Sequence, residues 1–397
     1  MIIKPRIRGF ICTTAHPAGC SAHVHQQVDT VKSMRSFYSN SSAPKRVLIL
    51  GCSGGYGLAS RITAAFACHA STLGVSFEKP PTSSKTATAG WYNNRAFEDA
   101  AISEGLYAKT IEADAFADET RDSVIETIKA DIGSIDLLIY SLASPVREHP
   151  RTGNVHRSVI KPLGDTLNMK SVNVDKGEVH EINLEAASEE ETLNTVSVMG
   201  GEDWEFWIDA LQKADVLSAG FRTVAFTYIG TELTWPIYWE GTLGKAKEDL
   251  DRASKEISSR LDVLGGQAKV AVLKAVVTQA MSAIPVVPLY ASLLFRVMKD
   301  KGLHEDTIQH IYRMFETQLC QDKFLRLDEQ GRVRMDDLEM LDEVQDLVKQ
   351  RWNLVNSENL SELADLSGYR ADFLKIFGFG IDGVDYEADV DPTLANG

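Results

Sequence analysis

Two tyrosines and two lysines fall in the stretch YIGTELTWPIYWEGTLGKAK, from Tyr228 to Lys247. A phenol beside an ammonium is a redox pair: the lysine's charge favours the phenolate and lowers the phenol's pKa, so the hydroxyl can give a proton to a forming oxyanion. Tyr238 and Lys247 lie nine residues apart. On one straight helix that is about two and a half turns, which points them to opposite sides. For the two to cooperate, Tyr238 must precede the helix, with a turn around Gly241 and Gly244 bringing Lys247 back. Tyr228, earlier in the same stretch, is the competing proton donor. The plainer alternative makes Tyr238 and Trp239 core aromatics and AKEDLDRASKEI a solvated helix.

The elements that would position such a pair begin with KRVLILGCSGGYGLAS, which predicts strand, glycine turn and helix. Val47 to Leu50 are continuously apolar, as suits a central parallel strand. Gly51, Gly55 and Gly57 let the backbone turn tightly and approach a pyrophosphate at the helix N-terminus. The next strand, TLGVSFE, ends at Glu78, where an acid can bind a ribose 2′-hydroxyl and repel a 2′-phosphate, favouring NADH over NADPH. LYAKTIEADAF predicts a third strand ending at Asp114 and Ala115, where they could border an adenine. DLLIYSLAS predicts a fourth, ending at Leu142, Ala143 and Ser144. FRTVAFTYIG predicts a fifth that places Tyr228 near its end, and QAKVAVLKAVV supplies another strand or a helix start. This succession predicts an α/β fold with a Rossmann-like doubly wound parallel sheet and right-handed crossovers.

Residues 150–200 break the pattern with short alternating runs, predicting a small β insertion, followed by a helix with Ser188 as N-cap and Glu191 completing a capping box. KPPTSSKTATAGWYNN reads as a loop and IIKPRIRGFIC as strand, with Pro5 and Pro17 against a helix there. Residues 275–298 are long and uncharged enough to weigh as a membrane span, but Pro285 and Pro288 favour two buried helices. From about residue 299 the chain reads as helical and charged, including RMDDLEM, and FGFGIDGVDYEADVDP as a solvated tail.

The formal charge of −15 excludes a nucleic-acid binder, which needs a basic face. Five scattered cysteines without a CxxC pair suggest neither disulfides nor zinc. His23 and His25 lack further ligands, so no metal is expected. The N-terminus is not a secretory signal, and a reducing cytoplasm is the expected setting.

GCSGGYGLASR, FEKP, TAGWYNN, YSLASPVR, VMGGEDWEFWIDAL, TYIGTELTWPIYWEGTLGKAKEDLDR and VVTQAMSAIPVVPLY, in this order along nearly the whole chain, resemble the FabV-type trans-2-enoyl-CoA/enoyl-ACP reductases. The spacing of Tyr238 and Lys247 matches that family's Tyr-x8-Lys signature. The resemblance implies one large Rossmann-type domain over 1–397, with 1–150 mainly dinucleotide-binding, 151–320 an enlarged substrate and catalytic region, and 321–397 a helical C-terminal region. It implies NADH as hydride donor and enoyl-CoA or enoyl-acyl carrier protein as substrate; the sequence holds no flavin fingerprint, and hydride transfer from NADH to a conjugated thioester needs none, so no flavin is expected. By motif, Gly51, Cys52, Ser53, Gly54, Gly55 and Tyr56 should cradle the pyrophosphate, Phe77 and Glu78 meet the ribose, and Asp114 and Ala115 meet the adenine. Leu142 and Ala143 should meet the nicotinamide side, and Val276, Val277 and Thr278 should line the cofactor. Tyr228 should touch the thioester, Tyr238 donate the proton and Lys247 hold the nicotinamide ribose. Cys52 and Gly54 depart from the family's usual alanine and serine or threonine. A monomer or weak dimer is expected. A short-chain-type carbonyl reductase and a non-catalytic NADH sensor are the competing functions.

Overall fold

In the computed structural model, which describes residues 1–9 and 11–393, seven strands form one sheet: β1 (Arg46–Leu50), β2 (Ser71–Ser76), β3 (Ala108–Glu112), β4 (Ile135–Tyr140), β5 (Leu217–Thr227), β6 (Gln267–Val272) and β7 (Val333–Arg334). Every pairing is parallel, in the spatial order β7-β6-β5-β4-β1-β2-β3. The unbroken apolar run of β1 follows from burial on both faces. Val47 and Ile49 pack under the helix Gly55–Cys68, while Leu48 and Leu50 face a second core holding Trp204 and Trp207. The chain leaves β1 toward β2 and β3, then returns to place β4 on β1's other side. That reversal opens a crevice at the carboxyl ends of β1 and β4, where doubly wound sheets bind ligands.

The insertion consists of two antiparallel hairpins, Val146–Glu148 with Val155–Arg157 and Leu167–Asn173 with Glu178–Leu184. The helix after it, Glu189–Met199, starts in the expected capping box of Ser188 and Glu191. The apolar stretch 275–298 forms two helices, Gln279–Ser282 and Val287–Asp300, with Pro285 between them. Among the described residues no helix is long and apolar enough to cross a membrane.

Several local expectations fail. The N-terminal strand shrinks to Ile7–Arg8 paired with Ile11–Cys12, with Phe10 outside the described residues. Pro17 opens the helix Pro17–Ser33 instead of preventing one, because a proline at the first helical position lacks only an N–H that would have no partner there. The loop ends early, since Ala89 begins the helix Ala89–Ser103. RMDDLEM is not helical: β7 runs into it, and the helix starts only at Asp342. The tail is not merely solvated, for Phe377, Phe379, Ile381 and Val390 are buried.

Candidate active site

Tyr238 and Lys247 border one cavity of about 180 Å³, together with Tyr228, Leu142, Ala143, Val276 and Thr278. Tyr238 precedes the helix Thr242–Leu261, and Lys247 lies within that helix. The Tyr238 carbonyl accepts from the N–H groups of Gly241 (3.3 Å) and Gly244 (3.0 Å), closing the turn. Gly244 is required there: a Cβ would meet the Trp239 carbonyl oxygen at 1.6 Å.

The Tyr238 side chain is 6 % exposed, and its hydroxyl has no hydrogen-bond partner among the described residues. Burial pushes its pKa up. The expected lowering by Lys247 is therefore not seen: loss of hydration sets the direction, and the phenol keeps its proton. Lys247 likewise has no hydrogen bond or ion pair among the described residues. Burial pulls its pKa down to about 8, with Asp251 pulling the other way. Tyr228 stands edge-on to Tyr238, with ring centroids 5.2 Å apart. Its hydroxyl is engaged, donating to Glu339 Oε1 at 3.0 Å. The far wall is apolar, built from Ile160, Met199, Leu243, Met281 and Ile284.

The glycine turn adjoins this cavity. Gly51 has φ +82°, and a Cβ there would lie 2.2 Å from the Ser141 carbonyl oxygen, so a side chain would close the crevice between β1 and β4. Gly54 caps the helix Gly55–Cys68 without any side-chain hydrogen bond, and nothing lies within 4 Å of where its Cβ would be. Free N–H groups beside open space at a helix N-terminus suit a pyrophosphate. Thr278 packs its methyl 3.2 Å from the Cβ position of Gly55. A second cavity, of about 140 Å³, touches Gly54, Gly55, Val276 and Val277. Tyr56 borders the first cavity, and its hydroxyl donates to the Lys274 carbonyl.

Ser53 donates to Glu78 Oε1 at 2.6 Å. Burial raises the Glu78 pKa against the hydrogen bonds from Ser53 and Thr88. Phe77 is 77 % exposed beside it. Asp114 accepts from the Phe116 N–H at 2.9 Å. Ala115 is buried and its carbonyl accepts from the Trp207 indole at 3.0 Å. Cys52 is wholly buried, so only its backbone can face a ligand. Sequence reasoning missed Glu339 and Tyr290. Glu339 lies in a charged segment whose spacing gives no signal of burial. Among the described residues no group of three or more metal-binding side chains converges.

Residues 85–320 match the family model described as the trans-2-enoyl-CoA reductase catalytic region. The chain belongs to the trans-2-enoyl-CoA reductase family. Residues 2–83 match the NAD(P)H binding domain of trans-2-enoyl-CoA reductase, and 327–390 the enoyl reductase FAD binding domain. The enoyl-[acyl-carrier-protein] reductase [NADH] FabV of Aeromonas salmonicida is 55 % identical over 394 residues, covering 99 % of this chain and 98 % of that one. The trans-2-enoyl-CoA reductase of Treponema denticola, solved with NAD, superposes with a TM-score of 0.94 at 47 % identity, covering 98 % of each chain. That of Clostridium acetobutulicum, solved with NADH, gives 0.96 at 43 %, covering 100 % and 99 %. In this trans-2-enoyl-CoA reductase family member, the phenol of Tyr238 and the ammonium of Lys247 fall beside the crevice at the carboxyl ends of β1 and β4, where doubly wound sheets bind ligands.

Proposed function

We propose that this protein is an NADH-dependent reductase of the C2=C3 bond of trans-2-enoyl thioesters in fatty acid synthesis. The observation that carries this reading is one cavity, next to a glycine turn shaped for a pyrophosphate, holding a phenol and an ammonium with no protein partners. When bound, NADH supplies the hydride that reduces the alkene at Cβ.

Gly51 and Cys52 shape the turn, their own N–H groups donating to the Val75 carbonyl, and the backbone N–H groups of Ser53, Gly54, Gly55 and Tyr56 would hold the pyrophosphate. Phe77 and Glu78 meet the adenosine ribose, and Asp114 and Ala115 the adenine. Leu142, Ala143, Val276, Val277 and Thr278 line the nicotinamide side, where Lys247 holds the ribose. Glu78 disfavours a 2′-phosphate by charge. Tyr238 donates a hydrogen bond to the thioester carbonyl oxygen as negative charge gathers there, and supplies the proton. Its raised pKa keeps that proton in place until the oxyanion forms. One such donor contributes about 2.7–4 kcal/mol. Tyr228 touches the thioester with its ring.

Residues 327–390 do not fit a flavin. Val344, Val348, Leu360 and Tyr369 pack into the core around Val287–Asp300, and Glu339 is taken up by protein hydrogen bonds. The carrier is CoA or acyl carrier protein, and the setting the cytoplasm. The chain forms one folding unit, since β7 joins the C-terminal region to the sheet of the N-terminal half, and a monomer or weak dimer is the proposed state.

The test is steady-state NADH oxidation with crotonyl-CoA and with crotonyl-acyl carrier protein. Tyr238→Phe is expected to lower kcat roughly a hundredfold or more, with NADH still bound by fluorescence. Near-normal turnover removes Tyr238 as donor. Faster oxidation with acetoacetyl-CoA favours a carbonyl reductase, NADPH turning over as well as NADH removes Glu78 from the site, and binding without oxidation leaves only a sensor.

A further inference from the structure

Glu339 is a carboxylate with 0 % exposure and no ion pair within 4 Å among the described residues. Burial raises its pKa, while the Ala275 N–H, the Lys274 charge and the Tyr290 hydroxyl pull it back down, so these hydrogen bonds and that cation must compensate for the lost hydration. Three groups donate to it: the Tyr228 hydroxyl at 3.0 Å and the Tyr290 hydroxyl at 2.8 Å, both to Oε1, and the Ala275 N–H at 2.6 Å to Oε2. Gln345 fixes the arrangement from behind, donating to the Glu339 carbonyl at 2.7 Å and to the Tyr290 hydroxyl at 3.2 Å. The carboxylate thus ties the residue just beyond β5, the segment after β6 and the helix Val287–Asp300. Glu339 itself does not border the cavity, whereas Tyr228 does.

We propose that Glu339 is a positioning residue that acts through Tyr228, accepting that phenol's O–H hydrogen bond so that, of the two tyrosines, only Tyr238 presents its O–H to the thioester. This rests on the functional reading above. In its carboxylate form Glu339 only accepts hydrogen bonds, and the Tyr228 hydroxyl spends its single donor on it. What it offers the cavity is an oxygen and a ring edge. The two tyrosines differ by what surrounds them, and the glutamate makes the difference. It also gives the segment matched as an FAD binding domain a part in the reaction that needs no flavin.

Glu339→Gln keeps the shape and reverses one donor. With the amide oxygen on the Ala275 N–H, the NH₂ faces the two phenols. The Tyr228 O–H then turns toward the cavity and competes with Tyr238 for the carbonyl oxygen. The variant is assayed by NADH oxidation with crotonyl-CoA, alone and combined with Tyr228→Phe, alongside NADH affinity by fluorescence. Expected are a roughly tenfold fall in kcat, the size of one hydrogen bond to a charged group, NADH affinity within about twofold, and no further fall when Glu339→Gln is added to Tyr228→Phe. A kcat within twofold of the parent overturns the proposal, and so does an equal loss in the Tyr228→Phe background. Should Glu339→Gln not fold, the same cycle is run with Glu339→Asp, one methylene shorter, under the same criteria. A parent that oxidises no NADH with either carrier overturns both this inference and the functional reading, whereas an active parent with an unaffected Glu339 variant overturns this inference alone.

Discussion

Lys247 sits where two demands meet. It must carry charge to hold a ribose and to support a phenolate, yet burial pulls its pKa to about 8. Below that pH the ammonium is charged, and above it the amine is neutral. kcat/KM for NADH is therefore expected to fall as pH rises through about 8. Lys274, which also borders this cavity, is likewise pulled to about 8 by burial, but its Nζ donates to the carbonyls of Ala275 and Glu305. Lys247→Arg separates the two, since a guanidinium stays charged across this range. The variant should lose the descending limb of the pH profile while keeping reduced activity. A descending limb unmoved in Lys247→Arg assigns it to another group. At this scale residue types were legible, because few side chains can pair a proton donor with a cation. Their pKa directions were not, since burial has no sequence spacing.

The turn Tyr238–Gly244 is the element on which the site depends. It lets a tyrosine and a lysine nine positions apart share one cavity. Gly244→Ala places a methyl 1.6 Å from the Trp239 carbonyl oxygen. Relief requires the helix start to shift, at about 1–3 kcal/mol for overpacking. The expected outcome is a lower urea midpoint together with a kcat loss larger than the loss in NADH affinity. Unchanged stability and activity would mean that the turn does not hold the pair. The need for such a turn could be read from helical periodicity, and so could β1, whose four apolar residues in a row have no use outside a doubly covered sheet. By contrast, β7 has two residues, too few for any periodic signal. The helix Pro17–Ser33 was obscured by treating Pro17 as a breaker when it is a first-turn residue.

Across the whole molecule, the two ends of the chain complete one core. Ile3, Cys12 and Cys20 pack with Phe373, Phe377, Phe379 and Val390, together with Tyr92. The N-terminal ammonium pairs with Asp389, and Lys4 with Glu387. Those pairs are exposed and contribute little, about 0–1 kcal/mol each; the apolar cluster holds the ends together. Phe379→Ala is expected to cost about 3–5 kcal/mol, read as a lower urea midpoint, with the kcat of the folded fraction near normal. A midpoint equal to the parent's would show that the tail rests on the surface without supporting it. The acidic, glycine-rich composition of the tail hid this, because its few apolar residues are spaced irregularly.

Sequence alone determined the glycine turn, the central strands, the acid after β2 and the tyrosine–lysine pair, since each rests on residues close together whose types and periodicity carry the chemistry. Only the tertiary structure decided which phenol is free. Tyr228 and Glu339 stand 111 positions apart, and a hydrogen bond that spends one phenol's proton arises from where the packed chain places the acceptor, which local pattern does not encode.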